Sequence, residues 1–222
     1  MICLRGVPIC DAAKLLICRA FTKDHYQLLL YYYVIYKPYQ VLTQFSKEAN
    51  KACLADYFAV PKDVYPVGRL DYDSEGLLIL TNDKTLNHRL LNPRFAHERE
   101  YWVQVDGAIT PAAITQLQQG VTINIDGKPY NTQRCKAALF ETPPPVPERN
   151  PPIRFRKEIP APWIQLMLKE GKNRQVRKMT AAAGFPTLRL IRYRIAGLTL
   201  NGLQPGDMLQ LEREAVYNAL FK

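Results

Sequence analysis

The most restrictive feature of the chain is a proline-rich stretch over residues 142–162. It holds eight of the seventeen prolines in the 222-residue sequence. Proline has a fixed φ angle and lacks a backbone N–H, so this stretch excludes both a helix and a central sheet strand. We therefore predict a stiff, extended loop. The eight residues are Pro143, Pro144, Pro145, Pro147, Pro151, Pro152, Pro160 and Pro162.

Short segments rich in β-branched and aromatic residues recur on both sides of this loop, which is typical of β-strands. Segments with helical signals are fewer, and they cover residues 51–58, 83–91, 111–120 and 173–184. Helices and strands do not alternate regularly. This order predicts an α+β fold with a mixed, largely antiparallel sheet and flanking helices. The predicted strands cover residues 32–36, 64–67, 77–81, 101–105, 121–125, 135–140, 163–168, 187–192 and 208–211.

The positive charge of the chain is concentrated in one segment. The whole sequence has 30 Lys and Arg against 20 Asp and Glu, a formal net charge of +10. Residues 149–194 contain twelve basic and two acidic residues, so they account for the entire excess. Such a segment predicts an anionic partner, and nucleic acid is the usual one. A membrane surface is disfavoured because no long amphipathic basic helix appears.

The sequence also argues against several other classes of protein. Its five cysteines are irregularly spaced, which indicates reduced thiols in a cytoplasmic protein rather than a disulfide framework. It has no Cys-x-x-Cys pair and three scattered histidines, which disfavours a metal site. No glycine-rich phosphate loop is present, so a nucleotide cofactor is not expected. The longest apolar run, residues 28–36, is far shorter than the ~20 residues of a membrane span.

The helical segment over residues 173–184 combines an apolar face with a basic face. Asn173 is a suitable N-cap, and Gly184 is a suitable end. Three cations on one turn repel each other, so they either form a solvated face or meet RNA phosphates. The second interpretation explains the lack of neighbouring acids better. The apolar face comprises Val176, Met179, Thr180 and Ala183, and the basic face comprises Arg174, Arg177 and Lys178.

Residues 67–83 concentrate acidic groups in a protein that otherwise suits nucleic acid. They read Val-Gly-Arg-Leu-Asp-Tyr-Asp-Ser-Glu-Gly-Leu-Leu-Ile-Leu-Thr-Asn-Asp. Gly68 permits a tight backbone path, after which Arg69 and Asp71 lie two residues apart on a loop. The carboxylates of Asp71, Asp73 and Glu75 repel phosphate. This conflict indicates that one of them serves chemistry.

This segment resembles the signature of the ribosomal RNA pseudouridine synthases of the RsuA/RluB/RluE/RluF family. Residues 171–179, Gly-Lys-Asn-Arg-Gln-Val-Arg-Lys-Met, resemble the family's later motif, and residues 188–192 resemble the block after it. Lys37-Pro38-Tyr39 is similar to the family's first strand. The blocks keep their order and spacing from about residue 32 to residue 212. In detail, residues 149–154 and 185–193 resemble the large-subunit RluE type most closely.

The resemblance implies an activity and an architecture. The family isomerises a uridine in RNA to pseudouridine without a cofactor or metal, and the RluE type acts on 23S ribosomal RNA. We expect two lobes around a cleft, covering about residues 31–98 and 99–222. Residues 1–30 would form an N-terminal extension, without the S4-type RNA-binding domain of many relatives. A cytoplasmic monomer whose partner is 23S ribosomal RNA is expected.

The resemblance also assigns roles to residues. Breaking a glycosidic bond builds positive charge on the sugar, which a carboxylate stabilises. Asp71 matches the family's catalytic aspartate, which either attacks the sugar carbon or removes a sugar proton. Tyr101 matches the tyrosine that stacks on the flipped base, and Arg177 matches the arginine that pairs with the aspartate. The expected substrate-binding residues are Arg69, Lys172, Asn173, Arg174, Leu190, Arg154 and Arg156.

Several alternatives stay open at this point. Taken from their own patterns, Tyr101 and Leu190 also fit core positions, and Arg177 also fits a phosphate contact. A ribosome assembly factor that binds ribosomal RNA but has lost catalysis is a second functional hypothesis. A methyltransferase is a third, although it would need the glycine-rich cofactor loop that is missing here.

Overall fold

The computed structural model of the chain describes residues 29–153 and 158–221, and strands outnumber helices in this part. The strands are β1 (Tyr32–Lys37), β2 (Val41–Leu42), β3 (Ala52–Cys53), β4 (Tyr65–Pro66), β5 (Glu75–Thr81), β6 (Arg99–Val105), β7 (Thr122–Ile125), β8 (Lys128–Asn131), β9 (Lys136–Leu139), β10 (Trp163–Leu168), β11 (Thr187–Ile195), β12 (Leu198–Thr199) and β13 (Met208–Gln210). The helices are α1 (Lys84–Leu91), α2 (Pro111–Gln119), α3 (Gln175–Ala182) and α4 (Arg213–Phe221), with short 3₁₀ turns at Leu54–Asp56 and Pro93–Phe95.

One large sheet joins most of these strands in the order β13-β1-β5-β11-β6-β10-β9, with β12 paired to β11 and β4 to β5. Its neighbouring strands are antiparallel except β5 and β11, which are parallel. The predicted α+β fold with a largely antiparallel sheet is confirmed. The sheet crosses the boundary expected between residues 98 and 99, and β13 returns to pair with β1. The division into two lobes stays a prediction.

The sheet is covered on both faces, and alternate residues of a strand enter different cores. Leu77 and Ile79 of β5 pack in one core with α1 and α4, whereas Leu78 and Leu80 pack in another core with the turn at Leu54–Asp56. A third core joins α2 and α3 to β6, β10 and β11. Because strands β1 and β5 are buried on both faces, they read as nearly continuous apolar runs in the sequence.

Helix ends follow the sequence signals in two of the four predicted cases. Asp83 caps α1 by accepting hydrogen bonds from two backbone N–H groups, and α2 runs from Pro111 to the residue before Gly120. The predicted Asn173 cap is wrong. Helix α3 begins one residue later, its N-cap is Arg174 with a left-handed φ of 51°, and no side chain caps it. The predicted end at Gly184, with φ of 89°, follows α3 closely.

The helix predicted over residues 51–58 is also wrong. Residues 52 and 53 form strand β3, which pairs in parallel with β2, and only one 3₁₀ turn follows. The Asp56 carboxylate accepts a hydrogen bond from the backbone N–H of Cys53 at 3.0 Å, which closes this turn locally. Strand pairing with β2, a contact between separate segments, therefore overrides the local helical pattern.

The proline-rich stretch contains neither helix nor strand in its described residues, as predicted. It is tied to the sheet through Arg189 of β11, whose Nη1 donates to the Pro147 carbonyl at 2.8 Å. The same guanidinium forms a buried bidentate ion pair with Glu75, with distances of 2.9 and 2.8 Å. Arg149 lies over the Tyr39 ring, 4.1 Å from its centroid. The loop therefore packs beside the start of β5, where the acidic motif lies.

Candidate active site

A cleft of about 600 Å³ opens where the start of β5 meets β6, β11 and the N-terminal end of α3. Most of the side chains that the sequence singled out line it. Arg177 lies directly beside it, through its contacts with the Asp73 segment. Arg154, Arg156 and residues 1–28 lie outside the described residues. The predicted site residues that line the cleft are Arg69, Asp71, Tyr101, Lys172, Asn173, Arg174 and Leu190.

Asp71 lies on a loop that is fixed at both ends. Before it, the hydroxyl of Thr43 donates to the Leu70 carbonyl at 2.6 Å and accepts from the Leu70 N–H at 3.2 Å. After it, the backbone N–H of Ser74 donates to the Asp71 carbonyl at 3.0 Å and closes a turn. The Asp71 side chain is 38% exposed in the cleft. A carboxylate is thus held just before the N-terminal end of β5, where a bound substrate can reach it.

The carboxylate of Asp73 binds two arginines of the α3 region. The Arg174 guanidinium donates to both oxygens of Asp73 at 2.8 Å. Arg177 donates from Nη2 to the Asp73 carbonyl, and its Nε lies 3.3 Å from Asp73 Oδ2. Burial raises the pKa of Asp73, but the hydrogen bonds from Arg174 and the charge of Arg177 outweigh it and hold the pKa below its usual value. The acids missing from the basic face of α3 are therefore supplied by the β5 loop.

Among the arginines that the structure describes, Arg174 comes within 4 Å of Asp71, with Nη1 at 3.7 Å from Oδ2. The expected partner of Asp71 was Arg177, whose ion pair in this structure is with Asp73. Arg177 still interacts electrostatically with Asp71, and burial lowers the pKa of its guanidinium. The four side chains form a compact group of two acids and two bases, with Asp73 at its centre.

Tyr101 and Leu190 form an apolar wall of the cleft. Tyr101 is paired with Arg192 across β6 and β11, and Leu190 is paired with Val103. Leu190 is buried and belongs to the core that contains α3, while Tyr101 is half-buried against the same core. Both side chains also line the cleft. The core and substrate-facing interpretations are therefore compatible for these two residues.

Arg192 is a cleft residue that the motif analysis quoted but did not assign. It is buried, and its Nε donates to the Leu77 carbonyl at 2.8 Å. Its Nη1 donates to the Arg69 carbonyl at 3.3 Å, so the guanidinium supports the loop that carries Asp71. Burial lowers its pKa, while the nearby Tyr101 and Asp71 oppose that shift. Its position at the end of the third motif block, residues 188–192, was the signal by which the sequence could have identified Arg192 as a site residue.

Lys37 is a second unassigned residue, and it lies beneath the acidic loop. Its side chain is fully buried and donates to the carbonyls of Pro38 at 2.9 Å and Val41 at 2.7 Å. Burial lowers the pKa of Lys37 to about 7, and the charges of Glu75, Asp73 and Asp71 oppose the shift. The Lys-Pro-Tyr block marked this position in the sequence, but the block alone does not show that the ammonium is buried.

Glu170, which the sequence analysis also left unassigned, lines the cleft near the start of α3. Its carboxylate accepts hydrogen bonds from the Tyr130 hydroxyl at 2.6 Å, the Gln133 N–H at 2.9 Å and the Gln175 side chain at 2.5 Å. Lys172 lies over the Tyr130 ring, 4.9 Å from its centroid. The β7–β8 hairpin is thereby attached to the start of α3, so the basic wall of the cleft has a fixed position.

Neither a metal centre nor a membrane span is found in the described ranges. No group of three or more His, Cys, Asp or Glu side chains there could hold a metal ion. No helix within those ranges is long and apolar enough to cross a membrane.

Comparison with known proteins identifies the family to which this cleft belongs. A family model described as RNA pseudouridylate synthase matches residues 31–182. The chain belongs to this family. The resemblance drawn from the motif blocks is thus confirmed, and the matched range contains Asp71, Tyr101 and Arg177. As a member of the RNA pseudouridylate synthase family, the protein is an isomerase that acts on uridine in RNA.

Curated relatives support the assignment to this family along most of the chain. "Ribosomal large subunit pseudouridine synthase E" of Vibrio parahaemolyticus is 47% identical over 176 residues, which cover 79% of this chain and 71% of the relative. The protein of the same name from Xanthomonas axonopodis is 47% identical over 171 residues, covering 76% and 87%. "Ribosomal large subunit pseudouridine synthase B" of Bacillus subtilis is 33% identical, covering 81% and 67%.

A solved structure supports the fold independently. The crystal structure of a pseudouridylate synthase aligns with a TM-score of 0.69 and 22% sequence identity, covering 86% of this chain and 74% of the other. The expected pseudouridine synthase fold is therefore confirmed.

Proposed function

We propose that this enzyme isomerises a specific uridine of large-subunit (23S) ribosomal RNA to pseudouridine, without a cofactor. The observation that carries the proposal is the accessible Asp71 carboxylate, which lines one cleft together with Tyr101 and Arg174. The ribosomal target is supported by the two relatives that share 47% identity and are named large-subunit synthases. The irregular cysteines support a cytoplasmic location, and we propose that a monomer acts.

Asp71 is the catalytic residue in this proposal. When the bond from the base nitrogen to the ribose breaks, its electrons leave with the base and positive charge develops on the sugar. The carboxylate then either bonds to the sugar carbon or removes a neighbouring sugar proton. After the base has turned, its C5 carbon bonds to the sugar carbon, while the carboxylate leaves that carbon or returns the abstracted proton to the sugar. The C5 hydrogen is then lost as a proton, and the base nitrogen takes up a proton. Each step moves an electron pair without any net oxidation.

The remaining cleft residues bind and orient RNA in the proposal. The Tyr101 ring stacks on the flipped uracil, and Leu190 packs against it, because both line the apolar wall. Arg69, Lys172, Asn173 and Arg174 bind the RNA backbone around the target. Arg177 acts on Asp71 through the charges of the Asp73 group. Arg154 and Arg156 bind flanking phosphates, as the family resemblance implies.

The test of the proposed function is the substitution Asp71→Asn. Asparagine keeps the size of the side chain but cannot act as a carboxylate, so the variant should bind 23S ribosomal RNA and form no pseudouridine. Asp126→Asn is the matched control, since Asp126 is an exposed residue between β7 and β8, outside the cleft lining. It should form pseudouridine at the wild-type rate. Retained activity in Asp71→Asn would refute the assignment.

Release of the C5 hydrogen separates catalysis from binding alone. Ribosomal RNA labelled with tritium at uridine C5 should lose label in proportion to the pseudouridine formed. A protein that only binds ribosomal RNA would release none. None of the relatives named above is described as an inactive binding protein, so nothing in the comparisons favours this alternative.

A further inference from the structure

One part of the cleft lining has no role in the proposed function. It is the α1–β6 rim, which we define as residues 91–97, and five of its seven residues line the cleft. The rim also contacts the start of the acidic motif, because a Cβ atom on Gly68 would lie 3.0 Å from Leu91 Cδ2. It is therefore continuous with the loop that carries Asp71, so an RNA bound at Asp71 lies beside it.

The rim exposes apolar side chains at the edge of this cleft. Leu91 is 45% exposed and Phe95 is 49% exposed, and Pro93 and Ala96 are also exposed. Isolated apolar residues on a surface are ordinary, but four within six positions at a binding cleft form a patch that is typical of a ligand-contacting surface. The proposed contacts with the RNA backbone leave this patch without a function.

The rim is held in place although it is exposed. Arg99 of β6 donates hydrogen bonds to the carbonyls of Leu90 and His97, each at 3.4 Å. The His97 ring lies 6.1 Å from the Phe95 ring, with 29° between their planes, and it packs edge-on against Phe221 of α4 at 5.3 Å. A surface that is ordered before binding loses little conformational entropy when a ligand binds, so this arrangement favours recognition.

The charges around the rim suit RNA. Residues 84–97 contain three cations, Lys84, Arg89 and Arg94, and neither Asp nor Glu. Cations attract phosphates, an exposed aromatic ring contacts the faces of unpaired bases, and proteins that bind single-stranded RNA combine both features. We propose that the α1–β6 rim is a nucleobase-binding subsite, in which Phe95 stacks on the base of an unpaired nucleotide next to the target uridine. This inference rests on the proposed binding of RNA in the cleft.

The affinity for a 23S ribosomal RNA fragment, measured at one fixed salt concentration, tests the subsite. Phe95→Ala should weaken binding at least about fivefold, because a stacked base contributes about 1 kcal/mol or more. Phe95→Leu keeps an apolar side chain without a ring and should also weaken binding, whereas Phe95→Tyr should bind as the wild type does. Tyr57→Ala is the matched control, since Tyr57 is 48% exposed and lies outside the cleft lining. Wild-type affinity in Phe95→Ala or in Phe95→Leu would overturn the inference.

Abasic nucleotides in the RNA locate the contacted base. Fragments that each lack one base, at successive positions on either side of the modified uridine, are bound to the wild type and to Phe95→Ala. Loss of the stacked base should weaken wild-type binding as much as Phe95→Ala does, and it should not weaken Phe95→Ala further. If every abasic fragment loses the same affinity in both proteins, no base stacks on Phe95 and the inference is wrong.

Tryptophan fluorescence gives a signal that does not require turnover. A base that stacks on an indole quenches its fluorescence, so 23S ribosomal RNA should quench Phe95→Trp more than the wild type, and Tyr57→Trp should show no additional quenching. If the wild type forms no pseudouridine but Phe95→Trp is quenched and Phe95→Ala binds weakly, the proposed function fails while the nucleobase subsite stands. If pseudouridine forms but Phe95→Trp shows no additional quenching, only the subsite is refuted.

Discussion

Lys37 shows how a single residue links the stability of this fold to the chemistry of its cleft. Its ammonium has no exposed surface and lies near three carboxylates of the β5 loop. Burial disfavours the charged form more strongly than those carboxylates favour it. The folded protein therefore releases the Lys37 proton near neutral pH, whereas the unfolded chain keeps it until about pH 10.5.

We expect the free energy of unfolding to rise with pH between about 7 and 8.5. In this window the unfolded chain binds one more proton than the folded chain. The free energy of unfolding therefore increases by at most about 1.4 kcal/mol per pH unit. Lys37→Met should abolish the rise, while the exposed Lys62→Met control should keep it. Urea unfolding at several pH values measures it. Burial lowers the pKa of His97, which keeps it below this window, and raises the pKa of Cys135 to about 11, so neither group explains the rise. An equal rise of the free energy of unfolding in Lys37→Met would therefore contradict the assignment to Lys37.

At the scale of elements, the parallel contact between β5 and β11 holds the site together. Gly76 has a φ of 115°, and a Cβ atom there would lie 2.4 Å from the Arg192 carbonyl oxygen. Real Cβ atoms essentially never come this close to backbone, so the two strands can pair only through glycine. The contact brings Arg192 beside the loop that carries Asp71.

Gly76→Ala should therefore destabilise the protein more than glycine replacement in a turn. Gly127, with φ of 82°, is the matched control, because a Cβ there meets nothing within 4 Å. Gly127→Ala should cost about 1–2 kcal/mol for the left-handed backbone alone. Gly76→Ala adds an overpacking cost of about 1–3 kcal/mol and should also lower pseudouridine formation, since β11 must shift. Equal decreases of the thermal denaturation midpoint in Gly76→Ala and Gly127→Ala would show that β5 and β11 can separate freely.

Elements with a local cause were predictable from the sequence, and elements with a distant cause were not. The apolar run of β1 and the Asp83 cap of α1 need only neighbouring residues, and both were found. Residues 52 and 53 became a strand because β2 pairs with them. The pairing of Asp73 with Arg174 joins residues 101 positions apart, so no local pattern reveals it. Asp71 itself was predictable because its motif is contiguous.

At the scale of the whole molecule, the basic residues behind the net charge of +10 have two roles. Some form ion pairs within the protein, and others are available to RNA. Part of the basic segment is already neutralised within the protein, because Arg174, Arg189 and Arg194 form ion pairs with acids. Exposed Lys172, which lines the cleft, lies in no ion pair in the described part of the chain. The charge available to RNA is therefore smaller than the sequence suggests.

Binding of 23S ribosomal RNA should still weaken steeply with salt, since each neutralised phosphate releases counterions. For single-stranded RNA, each lost phosphate contact should flatten the slope of log affinity against log salt by about 0.7. Lys172→Gln should remove about one contact, and Arg154→Gln with Arg156→Gln about two. Lys128→Gln, outside the cleft lining, makes the same charge change as Lys172→Gln and should leave the slope unaltered. Fluorescence anisotropy at about 50–200 mM salt measures these slopes. Equal slopes for all variants would show that binding depends on overall charge and not on these positions.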